Sequence, residues 1–253
     1  MRTFWKKTAA PLVSHADWTQ RLEKKNRQQG TSAPTLAATW SGPVEVLGAL
    51  RQVHHLADVR LDEIVVEGES QFDAYGGPRN HDLVARGRLP DGKRVVICVE
   101  AKAGEDLGPT VEQYARAARA KRQKGESTNA PERLRDLLAR YLPHMGPKDE
   151  RVRRMRYQLL SALAGTEAEA NAAEADHAVL MIHEFLTDQR PEDKTAQHLA
   201  DLRRFITSVF DREPPDAELT PWCFELPAPA SMRTKLYVAW AVTDLRTATL
   251  QAE

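Results

Sequence analysis

At 253 residues, 42% apolar and 28% charged, the chain is long enough to bury a sizeable core, and no apolar run approaches the length of a membrane span. Thirty-six basic residues balance 36 acidic ones, so net charge carries no footprint of a nucleic-acid partner; any such surface has to be a local patch. Two distant cysteines, Cys98 and Cys223, make neither a disulfide framework nor a zinc site and fit a reducing, cytoplasmic setting.

The opening MRTFWKKTAAPLV has a basic front, but its apolar stretch is too short and broken for a secretory signal. Asp17 to Gln29 reads as a polar, strongly charged helix, followed by the loop GTSAP, so residues 1–42 are expected to form a helical extension. Pro43 to Leu56 places Val44, Leu47, Leu50 and His54 at helical spacing, with Pro43 suited to a first turn. Arg60 to Glu67, centred on Ile-Val-Val, reads as a strand, and Gly68 to Asn80 as a loop with a Gly76-Gly77-Pro78 turn. His81 to Leu89 and Arg94 to Ala101 follow as two strands around Leu-Pro-Asp-Gly.

Helices are expected over Pro109 to Lys124 and Pro131 to Tyr141. A longer one spans Glu150 to Glu174, with a break near Gly165. His177 to Phe185 is a strand, Glu192 to Phe210 a helix, and Trp222 to Leu226 and Lys235 to Asp244 are strands. The last alternates Leu236, Val238, Trp240 and Val242 on one face. Strands mixed with helices along the whole chain predict an α/β protein with a mixed central sheet flanked by helices, built as one domain with its core over residues 43–190.

Chemistry concentrates at VVICVEAK. Five apolar residues in a row mark a strand buried on both faces, and it ends in Glu100-Ala101-Lys102. Residues two apart in a strand share a face, so Glu100 and Lys102 point the same way, roughly 7 Å apart. Buried charges of this kind are costly without partners. Leu89-Pro90-Asp91-Gly92 fits a three-residue hairpin loop, with Pro at the second position of a type I turn and Gly at the left-handed bulge position. That loop pairs Leu89 with Lys93 and brings Asp82 opposite Glu100, Cβ atoms about 4.5–5.5 Å apart. A two-residue Asp-Gly turn would instead put Asp82 opposite Ala101. Two facing carboxylates repel, and a divalent cation with a taste for oxygen, Mg²⁺ or Mn²⁺, relieves that repulsion.

Asn80-His81-Asp82, a hairpin, then Val99-Glu100-Ala101-Lys102 resembles the PD-(D/E)xK nuclease superfamily, in which an Asp begins one strand and Glu-x-Lys ends the next. The match spans roughly Val44 to Lys124. The wider layout, including TSAPTLAATW, MRYQLL and HAVLMIHEF, is similar to uncharacterised bacterial nuclease-like proteins. The resemblance implies a restriction-endonuclease-like core and metal-dependent cleavage of phosphodiester bonds in DNA or RNA, in bacterial defence or DNA processing. It implies that Asp82 and Glu100 hold Mg²⁺ and that Lys102 orients the attacking water. It also implies a helix carboxylate ahead of the first strand, best matched by Glu45, with Glu67 as the substitute. Gln113 and Tyr114 stand on the following helix but are adjacent, so they do not share a face, unlike the pair some members carry.

The run Lys148 to Arg156 is basic. Arg151, Arg153 and Arg154 are candidates for phosphate contacts, although a solvated helix face is the usual meaning of such a run. Arg156, Tyr157 and Gln158 could instead face the site. His81 reads as a solvated or capped residue that could touch substrate, and His54, His55, His177 and His183 read as structural. A nuclease-fold binding module that does not cut, or an interaction subunit of a larger complex, is the rival reading.

Overall fold

The computed structural model describes residues 2–5, 10–11, 32–40, 44–188, 194–227 and 233–246. Among them, the strands are β1 (Arg2–Trp5), β2 (Ala10–Pro11), β3 (Arg60–Ser70), β4 (Arg79–Arg88), β5 (Arg94–Lys102), β6 (His177–Leu186), β7 (Trp222–Glu225) and β8 (Lys235–Asp244). They form one sheet in the order β2-β1-β3-β4-β5-β6-β8-β7. The β3–β4–β5 meander is antiparallel, whereas β6 runs parallel to β5 and to β8. The sheet is therefore mixed, and a parallel step such as β5 to β6 needs the long helical crossover that the chain supplies.

The helices are α1 (Ser32–Thr39), α2 (Val44–Leu50), α3 (Val111–Gln123), α4 (Ala130–Tyr141), α5 (Glu150–Arg154), α6 (Tyr157–Ala172) and α7 (Lys194–Phe210). Alternation along the central strands sorts their apolar side chains into two cores. Ile64, Val66, Leu83, Ala85, Ile97 and Val99 share the core of one face with Leu36 of α1, Trp40 just after it, and Val46 and Leu50 of α2. Val65, Val84, Val96 and Cys98 meet Leu159, Leu160 and Leu163 of α6 on the other, in a core that continues to Leu202 and Phe205 of α7. Past Arg94 every residue of β5 is buried, as its unbroken apolar run predicts.

Several elements depart from expectation. The Asp17–Gln29 helix lies outside the described residues. Residues 1–42 are not wholly helical, because β1 and β2 extend the sheet beyond β3, where an edge would otherwise leave backbone groups unpaired. Part of the GTSAP loop is the first turn of α1; Pro34 is tolerated there because a first-turn N–H has no intrahelical partner. The loop after β3 is only 71–78, since β3 and β4 pair as far as Ser70 and Arg79.

The long helix breaks at Met155-Arg156, not at Gly165. Both residues are extended, and the backbone there pairs with the start of α3 through Thr110 and Arg156, with Val111 N–H donating to Met155 O at 2.8 Å. Gly165 stays helical and serves packing: a Cβ on it would lie 2.5 Å from His81 Nε2 and 3.1 Å from Arg79 Cγ.

Candidate active site

The hairpin between β4 and β5 sets the site's register. Leu89 N–H donates to Lys93 O and Gly92 N–H to Leu89 O, both at 2.9 Å, and Gly92 has φ +87°. This is the three-residue loop with a left-handed third position. The ladder then runs from Arg88↔Arg94 to Leu83↔Val99, so the next positions in register are Asp82 and Glu100.

There the ladder stops. β4 continues against β3 alone, through His81↔Gly68 to Arg79↔Ser70, and parts from β5. Asp82 sits at the fork. Its Oδ2 accepts the Ala101 N–H at 2.8 Å, so a side chain replaces the lost strand partner. The pleat breaks at the same place: His81 and Val84, three residues apart, both face α6, where a regular strand would turn them to opposite sides. On β3 the break falls at Glu67, which has φ +51°.

Glu100 is buried at the end of β5 and collects three donors. Lys102 Nζ reaches its Oε1 at 2.8 Å, Gln158 Nε2 also donates to Oε1, and Arg79 Nη2 donates to Oε2. Burial raises the Glu100 carboxyl, but the charges of Arg79 and Lys102 outweigh it and hold it below the usual range. Lys102 is likewise buried; desolvation works against its charge, yet Glu100 and Asp82 keep its pKa above normal. Asp82 behaves in the opposite way. Burial first and the Glu100 charge second push it up from 3.8 to about 7, against the pull of Lys102, the Ala101 N–H and Arg79. Asp82, Glu100 and Lys102 are thus brought together and electrostatically coupled.

The other expected residues fare differently. Glu45 is not brought to this cluster: α2 packs across β8 and β7, on the far side of β6 from β5. Glu67 lies in β3 at the register position of Asp82, and its Oε2 accepts from Asn80 Nδ2 at 3.0 Å. Gln113 closes a capping box with Thr110, and Tyr114 stacks on Tyr157 at 3.6 Å between ring centres.

Arg151, Arg153 and Arg154 stand on the short, exposed α5 and pair with Asp149, Glu112 and Glu150. Arg151 and Arg154 also line a groove of about 410 Å³ with Arg203 and Arg204 of α7. His81 is fully buried, not solvated. His183 is held between Trp40 Nε1 and Thr243 Oγ1, and burial lowers it to about 3, in keeping with a structural role.

Of Arg156, Tyr157 and Gln158, which the sequence allowed to face the site, only Gln158 reaches Glu100, while Arg156 turns to Asp201 and Tyr157 to Tyr114; Arg79, the other partner of Glu100, carries no local pattern that assigns it. The signal for Arg79 is the demand of a buried carboxylate beside a second carboxylate for more positive charge than Lys102 alone supplies. Gln158 reaches Glu100 because α6 starts at Tyr157, against Gly108, whose φ of +65° carries the chain past the Gln158 side chain. Arg156 fixes that start, with Nε on Asp201 at 2.6 Å and Nη1 on Gly108 O at 2.8 Å. Beside Lys102 in the parallel ladder, Glu184 is buried and meets His198 Nδ1 at 2.9 Å.

A wider groove of about 740 Å³ lies between α3 and α4, with Leu134, Leu138 and Leu142 among its walls. It includes none of the Glu100 cluster. Coupled buried charge, not concavity, marks the site.

Among the described residues no group of three or more His, Cys, Asp and Glu gathers as a metal site, so a cation here would rest on the two carboxylates. Both offer oxygen, Asp82 Oδ2 alone is committed to the backbone, and Glu100 Oε2 is held by a single side chain. Burial first and the Glu100 charge second raise the Asp82 pKa, and a cation between the two carboxylates would offset the second of these.

Residues 11–245 match the model of a family described as a domain of unknown function, DUF6946, and the chain belongs to that family. No curated protein and no solved structure matches it. Among the described residues no helix is long and apolar enough to cross a membrane.

Proposed function

We propose that this DUF6946 protein is a metal-dependent nuclease of the PD-(D/E)xK type, hydrolysing phosphodiester bonds in DNA or RNA. The observation that carries the reading is the fork between β4 and β5, where Asp82, Glu100 and Lys102 gather at one end of a mixed sheet in the order the resemblance implies. Asp82 and Glu100 would hold Mg²⁺ or Mn²⁺. Such a cation, when bound, supplies Lewis acidity at a phosphodiester oxygen and acidifies water.

The chain's own groups do the rest. The buried Lys102 ammonium stays charged, and it stabilises negative charge developing on the phosphate while orienting the attacking water. Gln158, tied to Glu100 Oε1, fixes the carboxylate's rotamer and directs Oε2 toward the fork. The α5–α7 groove, with Arg151, Arg154, Arg203 and Arg204 against Glu150 and Glu213, is a local net-basic surface in a chain of zero net charge and suits a phosphate backbone. Exposed ion pairs of the Arg151–Asp149 kind contribute little and exchange readily for phosphate.

A nuclease-fold module that binds without cutting is favoured by one observation: Glu100 already collects three protein donors. Incubating purified protein with DNA and RNA, with and without Mg²⁺ or Mn²⁺, separates the readings. The nuclease reading expects metal-dependent cleavage, reduced by about 10²–10³ in Lys102→Ala, with metal binding lost in Asp82→Ala. Cleavage by Lys102→Ala at the wild-type rate would place the chemistry elsewhere, and nucleic-acid binding with no cleavage under any metal would favour the module.

A further inference from the structure

Arg79 occupies an unusual position. It opens β4 at the mouth of the fork, its stem lies against Gly165, and among the described residues its guanidinium is the sole donor to Glu100 Oε2. Lys102 and Gln158 share the other oxygen. The Arg79 charge also reaches Asp82, so one guanidinium serves both carboxylates. Its Nε is buried with no hydrogen-bond partner among the described residues. A buried guanidinium normally uses its whole fork of donors; here Nη2 bonds Glu100 while the buried Nε goes unused, and the side chain as a whole retains 16% exposure.

We propose that Arg79 is an internal counter-ion standing where a divalent cation binds between Asp82 and Glu100, and that on displacement it becomes a ligand of the substrate phosphate. The inference rests on the nuclease reading of the same site. The physical reason is exclusion: a guanidinium and a divalent cation cannot both neutralise the same carboxylate oxygen, and the single Arg79 contact is easier to surrender than the two donors on Oε1. The displaced group does not need to travel far to be useful. Arg79 is half of a planar, bidentate match for a phosphodiester, which its unpartnered Nε completes. Gly165 is what permits this placement, because any side chain there would meet the Arg79 stem and the His81 ring.

The test titrates Mn²⁺ calorimetrically into wild type, Arg79→Ala, Arg79→Lys and Asp82→Asn. It then measures anisotropy of a labelled duplex DNA oligonucleotide in Ca²⁺ and, in parallel, of its RNA counterpart. Circular dichroism and melting establish that each variant is folded; Arg79→Lys keeps the charge should the alanine variant fail. Removing the competing cation in Arg79→Ala is expected to tighten Mn²⁺ binding about tenfold, the scale of one charge-assisted hydrogen bond. The same change should weaken oligonucleotide binding and lower its salt slope by about one. Arg79→Lys should compete with Mn²⁺ much as arginine does, yet bind the oligonucleotide less well, because an ammonium lacks the planar fork.

Mn²⁺ affinity that depends on Asp82 but is unchanged or weaker in Arg79→Ala would overturn the counter-ion role and leave the nuclease reading standing. Tighter Mn²⁺ binding with unaltered oligonucleotide affinity would overturn the phosphate role. No Mn²⁺ binding to wild type or to Arg79→Ala would overturn this inference and the nuclease reading together.

Discussion

Replacing Asp82 with asparagine removes one negative charge from the β4–β5 fork while keeping an oxygen to accept the Ala101 N–H. The folded protein holds the Asp82 carboxyl at about 7, against 3.8 for an ordinary aspartate, through burial first and the Glu100 charge second. At about 1.4 kcal/mol per tenfold, that rise corresponds to roughly 4 kcal/mol of native-state penalty once the group is ionised in both states. Solvent reaching the partly exposed side chain reduces the figure to about 2 kcal/mol.

The folded pKa is raised, so between about pH 4 and about pH 7 the unfolded chain gives up its proton while the folded chain keeps it. Wild-type stability from this group therefore falls as pH rises through that window, and the penalty is complete above about 7. Below about 4 the group is protonated in both states and the penalty vanishes. Asp82→Asn should accordingly melt higher than wild type at pH 8 in chelator, by about 4–8 °C for a chain of this size, and the gap should close as pH falls toward 4. Differential scanning calorimetry of both proteins across pH 4–8 measures it. A variant less stable than wild type at pH 8, or a gap independent of pH, would refute a strained carboxylate pair. Under the metal-site reading, saturating Mn²⁺ should reverse the order, since only wild type gains the ligand.

Gly165→Ala should lower the melting temperature. Helix propensity alone would favour alanine by about 1 kcal/mol, but the 2.5 Å approach to His81 makes overpacking cost about 1–3 kcal/mol; a raised melting temperature would refute the close contact. Arg156→Ala strips the buried Asp201 of one partner and frees the start of α6, at a cost of about 3 kcal/mol. Arg204 still reaches Asp201, so chemical denaturation should show a destabilisation at the low end of the buried-pair range, and a change under about 1 kcal/mol would mean that Arg156 does not anchor Gln158. Changing Arg151, Arg153 and Arg154 together to alanine should leave stability nearly untouched, because their pairs are exposed. It should lower the salt slope of nucleic-acid binding by about one for each phosphate no longer neutralised, and an unaltered slope would return α5 to a solvated surface.

Local chemistry made much of this protein legible. Leu-Pro-Asp-Gly allows two hairpin lengths and Pro90 favours the three-residue loop; the structure has that loop, which counts Asp82 to Glu100 across 17 intervening residues. The buried run of β5 and the alternation of β8 announced their places, because a strand's burial is written in its period. The sequence by itself therefore determined the mixed α/β sheet and the shared face of Glu100 and Lys102, and the turn that the structure adopts adds Asp82 to them.

Only the tertiary structure decided what surrounds that group. Arg79 and Gln158 are separated from Glu100 by 20 and 57 residues, and they meet it because β4 leaves β5 at Asp82 and α6 begins at a break dictated by the Thr110–Arg156 bridge. Glu45, matched to the site by its place in the chain, is carried away because α2 packs on β8 and β7. Period and turn chemistry act between neighbours in the chain and can be read from it. The partner of a buried charge is chosen by packing, which brings distant residues together for reasons no local pattern records.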